Sequence, residues 1–304
     1  MKTSYEQIVK IDNNDVGKVL KLAFQEDHIY TGRNLLLCID FQNDFVEGGS
    51  LAVPGAKADI ARLTKWIYNN MQDISEIICT MDTHVPEQIF HPCWWEDTNG
   101  KNPNPYTIIT LDDFNSGKWK LPKNLKMMEG ITKQYLEHLE KNSKKQLCIW
   151  PYHCLWGTEG ANLEQSFSQM VIFHYAVTGN DPRFIEKGKL LKYSEMYGFI
   201  EPEFGADSSQ NQYHKNLVNK VFLDRVIKGE YDNIYIAGEA ASHCVLESVT
   251  QLCKKLQSRE YTERIVILED CMTSIAGFEK LTTQKFKELQ EMYGIRFVKS
   301  TEMI

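Results

Sequence analysis

The chain has 304 residues, of which 42% are hydrophobic and 25% charged, with a formal net charge of −7; this is an ordinary globular composition, long enough to bury a substantial core in one large α/β domain or two small ones. The acidic balance, with a pI near 5.7, argues against nucleic-acid or anionic-membrane partners, both of which favour basic surfaces. No apolar run near the start suits a secretory leader, none approaches a membrane span, and the 8 cysteines include no C-x-x-C pair, so a cytoplasmic location and reduced core thiols are expected.

Residues 1–30 carry an amphipathic stretch (Val16, Val19, Leu20, Ala23, Phe24) that predicts an added helix ahead of a domain spanning 31–304. Mostly apolar runs then predict strands at 34–40 (NLLLCID), 76–82 (EIICTMD), 146–150 (QLCIW), 183–187 (RFIEK), 233–238 (NIYIAG) and 264–270 (RIVILED). Between them, helical spacing links Ile60, Leu63, Ile67 and Met71, then Met128, Ile131, Tyr135 and Leu139, and finally Val245, Val249, Leu252 and Leu256. Alternation of this kind predicts an α/β fold: an open, mostly parallel six-stranded sheet with helices on both faces, a Rossmann-like three-layer sandwich. No G-x-G-x-x-G follows the first strand, and the GGS at 48–50 is only a turn, so a dinucleotide-binding domain is not indicated.

One stretch breaks the rhythm. From about 91 to 123 the chain is rich in Pro, Asn, Gly and aromatic residues, far longer than a usual strand-to-helix connection. It is either a lid or binding loop, or a surface insertion or oligomer contact.

Ligands of open parallel sheets bind outside the carboxyl ends of the strands. Those positions hold Asp40, Asp82 with His84, His153, Lys187 and, at the start of a helix, Cys244. Each alone has an unremarkable structural explanation: a turn carboxylate, a hydrogen-bonded imidazole, a solvated lysine, a small buried thiol. Their joint placement suggests two chemical sets. Cys244 at a helix start is favoured as a thiolate, with Asp40 able to take its proton and Lys187 to stabilise the anion. Asp82, His84 and His153 mix carboxylate and imidazole donors suited to zinc, iron or manganese, with positions left open for water or substrate.

The same residues lie in motifs that resemble the isochorismatase-like cysteine hydrolases, and within them the nicotinamidases. CIDFQNDFVEGGSLAVPGA (38–56), MDTHVPEQI (81–89), WPYHCLWGTEGA (150–161), IEKGK (185–189) and GEAASHCV (238–245) follow the order of the family's motifs. The resemblance implies Asp40 as general base, Lys187 as its partner and Cys244 as nucleophile. It implies a divalent metal, zinc first with iron or manganese as alternatives, held by Asp82, His84 and His153. It further implies oxyanion donors at the backbone N–H groups of Ala240 and Cys244 beside a cis Glu239–Ala240 peptide, ring walls from Phe45 and Trp150, and closure by Tyr193. The implied reaction converts nicotinamide to nicotinate and ammonia through a thioester, in a homo-oligomeric enzyme whose partner is a small amide. Gln88 stands where many nicotinamidases carry another His, leaving three protein ligands or a substitution by His91. Ser242 replaces the family's Asp, and Glu239 adds an acid. The rival readings are hydrolysis of a carbamoyl or ureido amide, an isochorismatase-type ether hydrolysis, or a non-catalytic binding relative.

Overall fold

The computed structural model describes residues 1–12, 15–143, 145–188, 192–204 and 218–302. Its strands are β1 (Asn34–Ile39), β2 (Ile74–Asp82), β3 (Ile108–Ile109), β4 (Leu147–Cys148), β5 (Arg183–Lys187), β6 (Asn233–Gly238), β7 (Ile265–Leu268) and β8 (Arg296–Val298). Six of them form one sheet in the order β5-β2-β1-β6-β7-β8, and every neighbouring pair runs parallel.

β1 is buried along its whole length, as expected of a strand covered on both faces. Its period of two sends Leu36 and Cys38 to one core and Leu35, Leu37 and Ile39 to the other. Helices Ala56–Asn69 and Gln165–Thr178 close the first face through Ile60, Leu63, Phe167 and Phe173. Helices Lys220–Ile227, Leu246–Leu256 and Glu279–Tyr293 close the second through Phe222, Val249, Leu252 and Phe286. Each such side chain, fully buried, contributes roughly 1.5–3 kcal/mol. The helix ends are set locally: the Glu164 carboxylate accepts from the Phe167 N–H, and Gly179 ends the same helix in the left-handed region.

The count of six strands holds, but one member differs from expectation. The run at 146–150 supplies only β4, which pairs antiparallel with β3 outside the main sheet. A short apolar run does not say which sheet it joins, and here the chain of 91–123 offers it a partner first. The sixth place goes to β8, whose residues are exposed or half-exposed and show no apolar alternation. The segment 91–123 is itself packed, with Trp94, Trp95 and Ile109 fully buried and the Trp95 Nε1–H donating to the Ile89 carbonyl at 2.6 Å. At the start of the chain, helices Tyr5–Val9 and Val16–Ala23 lie on Gln165–Thr178, and Ile8, Val19 and Ala23 enter the first core.

β1 has β2 on one side and β6 on the other, so the strand order reverses there. The crevice outside the carboxyl ends of β1 and β6 is the place where this topology puts a ligand.

Candidate active site

Four strand ends meet at that crevice. Asp40 follows β1 with a positive φ of 51°, a conformation uncommon for a non-glycine residue that turns the chain sharply at the strand end. Asp82 ends β2 directly opposite Lys187, the last residue of β5. Cys244 lies in the turn Ala241–Val245 that leads from β6 into helix Leu246–Leu256. The Lys187 Nζ stands 2.9 Å from Asp40 Oδ2 and 3.1 Å from Asp82 Oδ1, and it donates to the Cys244 Sγ at 3.6 Å and the Met196 carbonyl at 3.2 Å. One ammonium group is thus shared among four acceptors. Thr80 Oγ1 donates to Asp40 Oδ1 at 2.6 Å and fixes the carboxylate plane.

This cluster is closed to solvent, with the side chains of Lys187 and Asp40 both 0% exposed. Such burial penalises every charge, so the partners decide which survive. Burial works against the Lys187 charge, but Asp40 and Asp82 outweigh it and hold the ammonium well above the usual lysine range. Burial raises the Asp40 carboxyl despite the opposing pull of Lys187. It pushes the Cys244 thiol well up, again against Lys187. Thiol and carboxyl are therefore both poised to hold a proton, the condition for passing one between them. Donor atoms of Asp40, Asp82 and Cys244 lie within 4.8 Å of one another, and the Lys187 ammonium is the cation that serves them.

Asp82 reaches a second cluster. Its Oδ2 lies 3.0 Å from His84 Nε2 and 3.7 Å from His153 Nε2, and all three residues are buried with donor atoms within 4.8 Å of one another. Burial first, partly offset by Asp82, holds the His84 imidazole below its ordinary range, in the neutral form that ligates metals. His153 Nδ1 is 2.8 Å from the Pro151 carbonyl, which leaves Nε2 for a ligand. Against Asp82, burial is outweighed by His84 and Lys187, and the carboxyl stays well below its usual range. A Cβ at Gly188, which has a φ of +84°, would come 2.8 Å from the His84 ring; glycine there leaves the cradle open. The donor set, its burial and the neutral His84 imidazole fit a divalent cation. Gln88 is committed elsewhere, its amide donating to the Gly188 carbonyl at 2.6 Å and accepting from the Val85 N–H at 3.1 Å. The His91 ring centre is 5.8 Å from that of His84, and its Nδ1 faces the Pro86 carbonyl at 3.0 Å; it stands beside the set as a neighbouring ring.

Two motif residues without an assigned role hold these pieces in place. The Gln42 amide pairs with both backbone groups of Asp82, each at 2.7 Å. Asp44 Oδ2 accepts from the Cys154 N–H at 2.6 Å, next to His153, and a Cβ at Gly160 would collide with that carboxylate. The two metal-set loops are joined directly, the His84 N–H donating to the Cys154 carbonyl at 2.9 Å.

Both clusters open into one cavity of about 470 Å³, counting its mouth, walled by Phe45, Trp150, Tyr197 and His243 among others. Ala240 lines it with Cys244, and the Glu239–Ala240 peptide is cis. Tyr193, expected to close the ring site, is not on the cavity wall; it packs toward Phe204, with ring centres 6.3 Å apart. Tyr197 lines the cavity instead. Glu195, Tyr197 and His243 are among the wall residues that the sequence reading did not name. For Glu195 and Tyr197 the one advance signal is an acid and an aromatic two apart in SEMYG, just past the lysine segment; His243 stands next to Cys244 in the nucleophile turn.

No protein-family model matches the chain. A nicotinamidase of Saccharomyces cerevisiae is 27% identical over 212 residues, covering 69% of this chain and 76% of the relative. The structure of the yeast nicotinamidase bound to the inhibitor nicotinaldehyde superposes with a TM-score of 0.59 at 20% identity, covering 88% of this chain and 99% of that one. A pyrazinamidase of Pyrococcus horikoshii in complex with zinc gives 0.50 at 17% identity, covering 88% and 99%. Shared fold and the ordered motifs around the strand ends agree with the sequence relative: the chain has the fold of the nicotinamidase structures and is similar in sequence to the yeast nicotinamidase.

Proposed function

We propose that the chain hydrolyses nicotinamide to nicotinate and ammonia, with Cys244 as nucleophile and Asp40 as the group that moves protons. The observation that carries this reading is the single Lys187 ammonium, which joins the thiol and Asp40 to the metal set through Asp82 inside one aromatic-walled cavity. A hydrolase needing only a thiol has no use for the second cluster; a flat heteroaromatic amide uses both.

The Cys244 thiol gives its proton to Asp40 and Sγ attacks the amide carbonyl. The backbone N–H groups of Ala240 and Cys244 receive the oxyanion at the start of the helix, where its dipole favours negative charge. Asp40 returns the proton to the leaving nitrogen and ammonia departs, leaving a thioester on Cys244. Asp40 then draws a proton from water attacking that thioester, and hands it to sulfur as nicotinate is released. Lys187 remains charged throughout, compensating Asp40 whenever it is ionised. Asp82, His84 and His153 would hold the divalent cation, zinc foremost, which when bound orients the ring nitrogen and water.

Ammonia release from nicotinamide, measured beside pyrazinamide and a set of carbamoyl and ureido amides, tests the reading. Nicotinamide should be preferred, and metal analysis should find about one divalent ion per chain bound by the three-ligand set. Turnover confined to ureido or carbamoyl compounds, or full activity after exhaustive chelation, would move the chain to the rival amidohydrolases.

A further inference from the structure

Glu195 is a carboxyl that the reaction above does not use, although it lines the cavity and is only 5% exposed. Its Oε1 accepts from the Trp150 Nε1–H at 3.0 Å and from the Tyr197 hydroxyl at 2.8 Å. Its Oε2 accepts from the Tyr135 hydroxyl at 3.2 Å. The Trp150 indole also donates to the Tyr197 oxygen, at 2.9 Å, which closes a triangle of two cavity walls and one acid. Three donors, two of them from distant segments, thus converge on one carboxylate, an arrangement that an uncharged amide cannot reproduce because one end of it is itself a donor.

We propose that Glu195 is a positioning residue for the aromatic wall: as a carboxylate it locks the Trp150 indole and the Tyr197 phenol in the orientation that grips a flat heteroaromatic amide, and taking a proton from water loosens that grip. The ligand named here rests on the nicotinamidase reading; the coupling of the acid to the indole does not.

The surroundings place this switch in a useful range. Glu195 is raised from the usual carboxylate value to about 7, by burial above all, with Tyr197, Trp150, Lys145 and Tyr135 opposing. Other titratable groups face it from every packed element. Cys148 and Lys145 come from the segment before Trp150, Glu203 from its own loop, and Glu247 from helix Leu246–Leu256, where it holds Lys145 at 2.7 Å. His243 stacks at 5.5 Å from Trp150 and 5.6 Å from Tyr197; burial, then Lys145, holds it down to about 4, so it is neutral where Glu195 titrates. Lys145 is the cation that pulls Glu195 down, and it is already shared with Glu203 and Glu247, while the Lys187 ammonium reaches the adjacent Met196 carbonyl at 3.2 Å.

The test uses the full-length, metal-loaded protein labelled with ¹⁵N at its tryptophan indoles, with Trp150→Phe serving only to assign the resonance. The Trp150 Nε1–H signal should shift with an inflection near pH 7, moving downfield as the carboxylate forms. In Glu195→Gln that inflection should vanish, KM for nicotinamide should rise about tenfold, and kcat should change by less than about threefold. Wild-type KM should fall as pH rises through the same inflection, and the variant should lose that dependence. A wild-type indole signal flat across this range, or a Glu195→Gln enzyme with unchanged KM and an intact pH profile, overturns the proposal. If the variant fails to fold, the wild-type titration alone decides. If nicotinamide is not turned over at all, the function proposed above fails, while the indole titration still judges Glu195.

Discussion

Two lysines, one buried and one half-exposed, stand near the cavity, and they treat their acids in opposite ways. Lys187 is wholly enclosed and sits between Asp40 and Asp82 at 2.9 and 3.1 Å. Lys145 is 40% exposed at its side chain and reaches Glu247 at 2.7 Å, while Glu195 is left with neutral hydrogen-bond donors only. With a cation in contact and imidazoles opposite, Asp82 stays well below its usual range against the cost of burial. With the cation at a distance, burial takes Glu195 up to about 7. Residue type does not distinguish the two sites; where the single cation stands does. Together with the imidazoles an enclosed cation keeps Asp82 charged, while burial still raises Asp40 beside the same cation, and a peripheral cation leaves a carboxyl free to respond to pH.

Removing each part should break this comparison by different amounts. Cys244→Ala should cut nicotinamide turnover by roughly four orders of magnitude or more, with metal content near that of the parent; undiminished amidase activity in that variant would falsify the nucleophile assignment. Lys187→Met strands two buried carboxylates and should cost about 3–5 kcal/mol in denaturant unfolding; a loss below about 1 kcal/mol would show that water reaches the cluster. Its effect should be independent of pH only between the range where the raised Asp40 carboxyl protonates and the ordinary lysine range, because a lysine pKa raised on folding gives stability that is fully present there and is lost as pH climbs through the raised value.

Lys145→Met should cost no more than about 1 kcal/mol, since an exposed pair is screened. It should instead push the Trp150 indole inflection above that of the parent, because Lys145 helps keep the Glu195 carboxyl down. An inflection that stays put would mean that the two clusters are not set by cation placement.

The last effect concerns Glu239, fully buried at the cis Glu239–Ala240 peptide. Burial, then the neighbouring Asp59, raises it well above the ordinary glutamate range. Its contribution to stability is present below the unfolded pKa and lost as pH rises through the folded one. Glu239→Gln should therefore match the parent in acid and gain on it toward alkaline pH, read as a widening gap in Tm; a gap that narrows contradicts the assignment.

How much of this was legible follows from where each residue draws its meaning. Asp40, Asp82, Lys187 and Cys244 stand at the ends of apolar runs, and a parallel sheet sends all such ends to one rim, so topology alone brought them together. Gln42 and Asp44 stood in a recognised motif, but their work is done on backbone groups 40 and 110 residues away, which no local pattern announces. The strand at 146–150 failed as a main-sheet member because a two-residue pairing with the insertion claimed it, and β8 was too short and too polar to be seen.

What the amino-acid order by itself determined is the alternation of buried strands and amphipathic helices, hence the sheet and the rim of ionisable groups, because burial period and strand-end position are local properties. The electrostatic state of those groups was decided only by the tertiary structure. A carboxyl's proton depends on which cation and how much water lie within a few ångströms, and in this chain those neighbours come from segments far apart: Lys187 with Asp40 and Asp82, and Glu195 with Tyr135 and Trp150.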